Sequence, residues 1–158
     1  MMIDPLLVSG NEASMAWSLL LAAVLGSLLG IERSVAGKHA GMRTYALVSL
    51  GSCLFVLIST IASTGFLSMF AGVNPVQIAA SVVIGIGFIG SGLVAMRNDV
   101  HVELTTASGI WVVAGIGMAC GFGMYMLAVI TTVLAAIILS IFLRVENGIR
   151  KRYTPPQN

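Results

Sequence analysis

Long apolar stretches alternate with short polar segments along the whole chain. Five stretches approach the roughly 20 residues that a helix needs to cross the hydrocarbon core of a membrane. They cover 14–32, 44–64, 75–96, 105–121 and 123–143. The last two form one continuous apolar run, which a tight glycine turn near Gly121 and Gly123 divides. The pattern predicts an all-α integral membrane protein with five transmembrane helices.

Local signals mark where some of these helices begin. Asn74 and Pro75 place a proline at the first position of the third helix, where its missing N–H is harmless. Thr44 is the expected N-cap of the second helix, and Thr105 or Thr106 that of the fourth.

The basic residues predict how the chain is oriented in the membrane. All eight Lys and Arg residues lie in alternate gaps, after the first, third and fifth apolar stretches. Because basic residues concentrate on the cytoplasmic side, we expect the N-terminus outside and the C-terminus in the cytoplasm. The chain then divides into an extracytoplasmic segment (1–13), a transmembrane domain (14–143) and a basic cytoplasmic tail (144–158). Composition agrees, with 58% hydrophobic and 9% charged residues. The basic rim suits the lipid bilayer, and nothing indicates nucleic-acid binding.

Small residues predict close helix packing. Gly26 and Gly30, like Gly117 and Gly121, are spaced one turn apart, which lets helix backbones approach closely. The third helix is still richer in small residues, namely Gly85, Gly87, Gly90 and Gly92. We expect these faces to pack against other helices, including those of a second copy in a dimer. The alternative is that the third helix lines a cavity, since bare backbone at membrane depth is tolerated there.

Two parts of the sequence resemble each other. Gly30 and Arg33, then His39 and Thr44, are echoed by Gly92 and Arg97, then His101 and Thr106. In both, a glycine-containing helix ends at an arginine, and a threonine five residues after a histidine opens the next helix. This predicts a parallel repeat of two hairpins about an axis along the membrane normal.

Charged side chains gather at the predicted cytoplasmic face. The first loop offers Glu32, Arg33 and Arg43, and the second offers Arg97, Asp99 and Glu103. Glu32 and Asp99, with Glu103, are oxygen ligands of the kind that Mg²⁺ prefers. The arginines and the nearby helix N-termini would instead suit phosphate. A third interpretation is that arginine–carboxylate pairs pin the loops together. Glu32 and Arg43 are singled out because a charge partly desolvated beside a span is costly.

The sequence does not favour an enzyme. Both histidines lie in loops, and no histidine lies on a helix with a nucleophile that it could activate. There is no cluster of ligands for zinc and no Walker sequence for ATP. No cofactor is predicted, apart from the Mg²⁺ just considered. Hydroxyls at membrane depth, such as Ser49, Ser52 and Ser59, leave a channel or carrier open.

The loop motifs resemble the bacterial MgtC/SapB family over about residues 15–140. They are Gly30-Ile-Glu32-Arg33, Ala40-Gly41-Met42-Arg43-Thr44, Gly85-Ile-Gly87-Phe-Ile-Gly90-Ser-Gly92 and Leu104-Thr105-Thr106-Ala107, followed by Trp111. Two positions depart from the family pattern: Tyr45 replaces a common Asn, and Glu103 a common Gly. By this resemblance the positions expected to matter are Glu32, Arg33, Gly41, Arg43, Thr44, Gly87, Gly90, Gly92, Arg97, Thr105, Thr106 and Trp111.

The resemblance also implies a function. Family members are tied to growth at low Mg²⁺ and, in pathogens, to virulence through survival inside macrophages. One is thought to restrain the F-type ATP synthase and to affect phosphate uptake. The chain is similar to the short branch that lacks a soluble C-terminal domain. We therefore expect a non-enzymatic inner-membrane regulator of Mg²⁺ and energy homeostasis, with the F-type ATP synthase or another membrane protein as partner. The alternative is a transporter of a small ion or solute such as Mg²⁺ or phosphate.

Overall fold

The protein folds into five α-helices, described here from a computed structural model. The structure describes the backbone of residues 5–63, 74–95 and 100–153, and side chains within 12–63, 74–94 and 104–142. The helices are α1 (Pro5–Val35), α2 (Met42–Ile61), α3 (Pro75–Ala95), α4 (Val100–Gly121) and α5 (Tyr125–Tyr153). All five contain a segment long and apolar enough to cross a membrane. The predicted all-α fold with five transmembrane helices is confirmed.

Glycines end two of the helices, and one of them lies at the predicted turn. Gly37 and Gly123 are the described residues with positive φ, +67° and +74°. After each, the next N–H group bonds to the carbonyl five residues earlier, Lys38 to Arg33 and Met124 to Ala119. This is the Schellman arrangement, which needs a left-handed residue and so favours glycine. The turn between the last two helices thus lies at Gly123, inside the predicted segment.

Helix starts agree with the prediction at α3 and differ at α2 and α4. The Asn74 side chain accepts the Val76 N–H at 2.9 Å, immediately before the helix. α2 instead begins at Met42, whose N–H is accepted at 3.0 Å by the Ser34 hydroxyl of α1. Thr44 is therefore not its N-cap. α4 begins at Val100, so the predicted caps Thr105 and Thr106 lie within the helix.

α4 is the centre of the bundle and contacts each of the other four helices. Within its span 56% of the residues are buried, against 6% for α3. α1 and α2 form a close hairpin that packs on α4. The buried residues of α2 are Tyr45, Ser49, Ser52, Cys53, Val56 and Ser59. The interior face of this helix is thus mostly polar, whereas its lipid-facing side is apolar.

Both predicted glycine pairs lie at close helix crossings, as expected. A methyl group added at Gly26 would lie 2.7 Å from the Tyr45 carbonyl oxygen, and one at Gly30 would lie 2.5 Å from the Met42 Cα. One at Gly121 would lie 2.8 Å from the Cys53 carbonyl oxygen, and one at Gly117 would collide with the Ser49 backbone. Helices α1 and α4 therefore approach the backbone of α2 from two sides.

The third helix does not pack as predicted. A methyl group at Gly85, Gly87 or Gly92 would meet nothing within 4 Å, and one at Gly90 would make only an ordinary contact with Ala107 at 3.7 Å. The prediction that these glycines pack tightly is wrong within one copy of the chain. Hydropathy does not reveal this, because lipid and protein interior are equally apolar neighbours for a membrane helix.

Two further packing predictions concern Trp111 and the proposed repeat of two hairpins. Trp111, expected at a helix contact, is 56% exposed on α4. The equivalent glycines of the proposed repeat, Gly30 and Gly92, also differ, since Gly30 lies against Met42 and Gly92 is open. The two hairpins therefore pack differently at this position, and the parallel repeat stays a prediction.

Candidate functional site

A partly buried ion pair lies near the end of α1, before the first group of basic residues. The Arg33 Nε lies 2.5 Å from the Glu32 Oε2, and the Arg33 Nη2 donates to Oε1 at 2.9 Å. The Arg33 side chain is 2% exposed and that of Glu32 is 19% exposed. Two parallel N–H···O bonds of this kind are among the stronger charge-assisted contacts.

The pair joins neighbours on one helix, which is unusual. Consecutive residues on a helix do not face each other, so the Glu32 carboxylate must fold towards the guanidinium. Such a pair cannot pin two loops or two helices together, as one interpretation of the sequence held. The two charges neutralise each other on α1. The pair forms no bond between α1 and another helix.

Tyr45 of α2 lies near this pair and is hydrogen-bonded to α4. Its side chain is fully buried, and its hydroxyl donates to the Thr106 carbonyl oxygen at 3.3 Å. The charges of Arg33 and Glu32 both act on this hydroxyl. Gly109 provides the space, because a methyl group there would collide with the Tyr45 hydroxyl. Three helices thus meet at one buried polar cluster.

Two buried hydroxyls near this cluster have no hydrogen-bond partner among the residues that the structure describes. They are Ser49 Oγ on α2 and Thr106 Oγ1 on α4, and both side chains are fully buried. Several other hydroxyls of the bundle bond to a carbonyl of their own helix, as Thr132 does to Ala128 at 2.8 Å. Buried polar groups are normally satisfied, so these two call for a functional or structural explanation.

The remaining predicted site residues fall into three groups. Arg43 and Thr105 are exposed, and Thr44 is half-buried. Arg97 and Asp99 lie outside the described residues. The structure therefore places Arg33 inside the protein and Arg43 at its surface, and the expected role of Arg43 stays a prediction.

The structure gives no support to a magnesium site in the part that it describes. Glu32 is held by Arg33, and no group of three His, Cys, Asp or Glu residues suited to a metal occurs among the described residues. Its predicted companion, Asp99, lies beyond them.

Tyr45 and Gly109 are site residues that the sequence pattern did not predict. A usable signal was present on α2, where Tyr45, Ser49, Ser52 and Ser59 recur at the spacing of one helix face. In a membrane helix such a polar face points to the protein interior, because lipid cannot satisfy hydroxyl groups.

Comparison with known sequences identifies the family. A sequence profile described as MgtC family matches residues 19–148. The chain belongs to the MgtC family. With its five membrane-spanning helices, this MgtC-family chain is a multi-pass protein of the bacterial inner membrane.

Several named relatives are similar in sequence. The chain is 45% identical over 125 residues to YhiD of Escherichia coli K12, whose name proposes magnesium transport, covering 78% of the chain and 58% of YhiD. It is 41% identical over 118 residues to MgtC of Salmonella typhimurium LT2, covering 74% and 47%. It is 35% identical over 149 residues to SrpB of Synechococcus elongatus, covering 89% and 81%.

The chain thus spans about half the length of YhiD and MgtC and most of SrpB. No solved structure matches it.

Proposed function

We propose that this MgtC-family protein is a non-catalytic regulator in Mg²⁺ and energy homeostasis, acting on a membrane enzyme such as the F-type ATP synthase. Family membership and the names of its relatives support a role connected with magnesium. The observation that carries the regulatory role is the buried pair of Glu32 and Arg33. We also propose that the basic end of the bundle faces the cytoplasm, where such an enzyme exposes its catalytic portion.

The ion pair supports a binding role because it contributes little to holding the bundle together. Burying two charges costs several kcal/mol per ion by order of magnitude, and the attraction between them does no more than offset this. Since the pair links no two helices, a structural reason for this cost is missing. Charges kept at membrane depth usually serve function. A partner that engages Arg33 would compete with Glu32 for the guanidinium.

A transporter is the second candidate, and one observation favours it. The unpartnered hydroxyls of Ser49 and Thr106 lie inside the bundle, on or near the polar face of α2. Such groups could coordinate a passing ion or water. Against this, the backbone of α4 lies directly on Ser49 at Gly117, and the grooves of the described region are lined mainly by apolar side chains.

ATP hydrolysis in inverted membrane vesicles separates the two candidates. F-type ATPase activity is measured with and without the protein at equal expression, together with the proton gradient that the enzyme builds. A regulator slows hydrolysis and lowers the gradient. A transporter that leaks ions speeds hydrolysis, because the gradient no longer opposes the enzyme. Unchanged hydrolysis and an unchanged gradient would contradict both.

A matched pair of variants tests the site itself. Arg33→Gln removes the buried cation, and Arg43→Gln removes an exposed one ten residues later. We expect Arg33→Gln to abolish the effect on hydrolysis while the protein still inserts, and Arg43→Gln to retain most of it. Loss of the effect only in Arg43→Gln would show that the exposed residue Arg43, and not Arg33, is the functional cation. Equal retention in both variants would contradict a role for the pair.

We further propose that the protein is a dimer, with α3 as its contact. Gly85, Gly87 and Gly92 are open to the surroundings in a single copy, which leaves bare helix backbone available to a neighbour. Cross-linking through single cysteines placed on α3 in native membranes would reveal such a contact. Absence of cross-linked dimer at every α3 position would contradict it.

A further inference from the structure

A groove runs between α4 and α5 with α1 as its floor. We call it the α4/α5 groove; its volume is about 310 Å³. Thr105, Ser108 and Val112 line it on α4, and Thr131, Ala135 and Leu139 line it on α5. Its walls are apolar apart from the three hydroxyls. Thr105 and Ser108 are exposed, so the groove opens towards the bilayer.

The groove has the length and depth of a lipid chain within one leaflet. From Thr131 to Leu139 the helix rises roughly 12 Å at about 1.5 Å per residue. One leaflet of hydrocarbon is about 15 Å thick, half of the roughly 30 Å core. Thr105 lies five residues after the start of α4 at Val100. The groove therefore starts close to the membrane surface and runs inwards along the membrane normal.

The sequence that follows the surface end of this groove on α5 is basic. Leu29 of the floor lies one turn before Arg33, and both are buried on α1. Beyond Leu139, α5 continues as a helix to Tyr153. The sequence of this extension contains Arg144, Arg150, Lys151 and Arg152 and a single acidic residue, Glu146.

We propose that the α4/α5 groove binds one acyl chain of an anionic glycerophospholipid, whose headgroup lies at the basic end. The apolar walls suit the chain, the Thr105 hydroxyl suits an ester oxygen, and the basic sequence of the α5 extension complements the negative phosphate. This inference is independent of the proposed regulatory role.

Lipid binding to the purified full-length protein in detergent tests the proposal. Native mass spectrometry would compare titrations with phosphatidylglycerol, which is anionic, and phosphatidylethanolamine, which is zwitterionic. We expect phosphatidylglycerol to bind more tightly. Arg144→Gln should weaken phosphatidylglycerol binding about fivefold, because one basic residue near a membrane surface contributes about 1 kcal/mol. Adding Arg150→Gln should weaken it about fivefold again. Phosphatidylethanolamine should be unaffected by these changes.

Groove-filling variants locate the site. Ala135→Phe places a ring in the groove, and Ala80→Phe makes the same change on the exposed face of α3. We expect Ala135→Phe to abolish tight phosphatidylglycerol binding and Ala80→Phe to preserve it. If Ala135→Phe fails to fold, Ser108→Leu fills the groove from its exposed wall and should give the same loss.

Three results would overturn the proposal. Equal affinity for the two lipids would show that the charge of the headgroup does not contribute to binding. Full binding in both groove-filling variants would place the lipid elsewhere. Conversion of a dimer to a monomer by Ala135→Phe would show that a second copy, and not a lipid, occupies the groove.

Discussion

The crossing of α2 and α4 at Gly117 allows the sharpest test of the packing described above. A methyl group at this position would lie 2.8 Å from the Ser49 carbonyl carbon and 2.9 Å from its Cα, and closer still to the oxygen. These are backbone atoms, so no rotamer change can relieve the contact. The two helices must instead separate by roughly 1 Å, which forfeits a quarter to a half of the dispersion energy of neighbouring contacts.

The expected cost of Gly117→Ala can be estimated from these terms. Overpacking costs about 1–3 kcal/mol, and a backbone collision lies at the upper end of this range. Replacing glycine by alanine inside a helix returns about 1 kcal/mol. We therefore expect Gly117→Ala to lower the free energy of unfolding by about 2 kcal/mol. Gly115, two residues away, is the matched control, because a methyl group there meets nothing within 4 Å. Gly115→Ala should be neutral or slightly stabilising.

The protein contains its own reporters for this measurement. Cys53 on α2 and Cys120 on α4 are both fully buried and lie next to the same crossing. A fluorogenic thiol reagent should label them only when the helices separate. Gly117→Ala should therefore be labelled at a lower temperature than the unmodified protein, and Gly115→Ala should not. Identical transitions for the two variants would refute the close approach of α2 and α4.

Three further predictions concern other sites. Gly109→Ala should destabilise the bundle through its collision with the Tyr45 hydroxyl, and Tyr45→Phe should restore part of that loss; thermal unfolding of the double variant below both single variants would contradict this. Glu32→Gln should lower the free energy of unfolding by up to about 3–5 kcal/mol, and by more than Arg33→Gln does, because it leaves the more deeply buried charge unpaired. The thiol-labelling assay compares the unfolding temperatures of the two variants. Gly87→Ala should weaken the proposed α3 dimer without destabilising a single copy, since a methyl group there meets nothing within one copy; an unchanged dimer would contradict the α3 contact.

The sequence was sufficient to predict the course of the chain through the membrane. Helix length depends on bilayer thickness, and the start of α3 and the turn before α5 depend on local chemistry at Asn74 and Gly123. These signals are contained in a few neighbouring residues, so they can be recognised without tertiary information. The glycine pair of α1 was also correctly predicted to pack, because small residues one turn apart favour close approach.

The lateral orientation of the helices could not be predicted in the same way. A membrane helix is apolar towards both lipid and protein, so its hydropathy does not show which face is buried. Gly87 and Gly117 therefore look alike in the sequence, although one is open and the other lies on Ser49. The same difficulty applies to Arg33 and Arg43. Both flank a span, and only the direction of the α1 face decides that Arg33 is buried.

The close contacts between α2 and its neighbouring helices also affect how the stability of the bundle depends on temperature. In water, a protein is held together largely by removing apolar surface from solvent, which gives unfolding a heat-capacity change of about 12–15 cal/mol/K per residue. Here separation of the helices exchanges contacts with Gly26 and Gly117 for contacts with lipid, and exposes little new surface to water. The heat-capacity change should then be small. The stability of the bundle would increase steadily on cooling, without the maximum near ambient temperature that is typical of water-soluble domains.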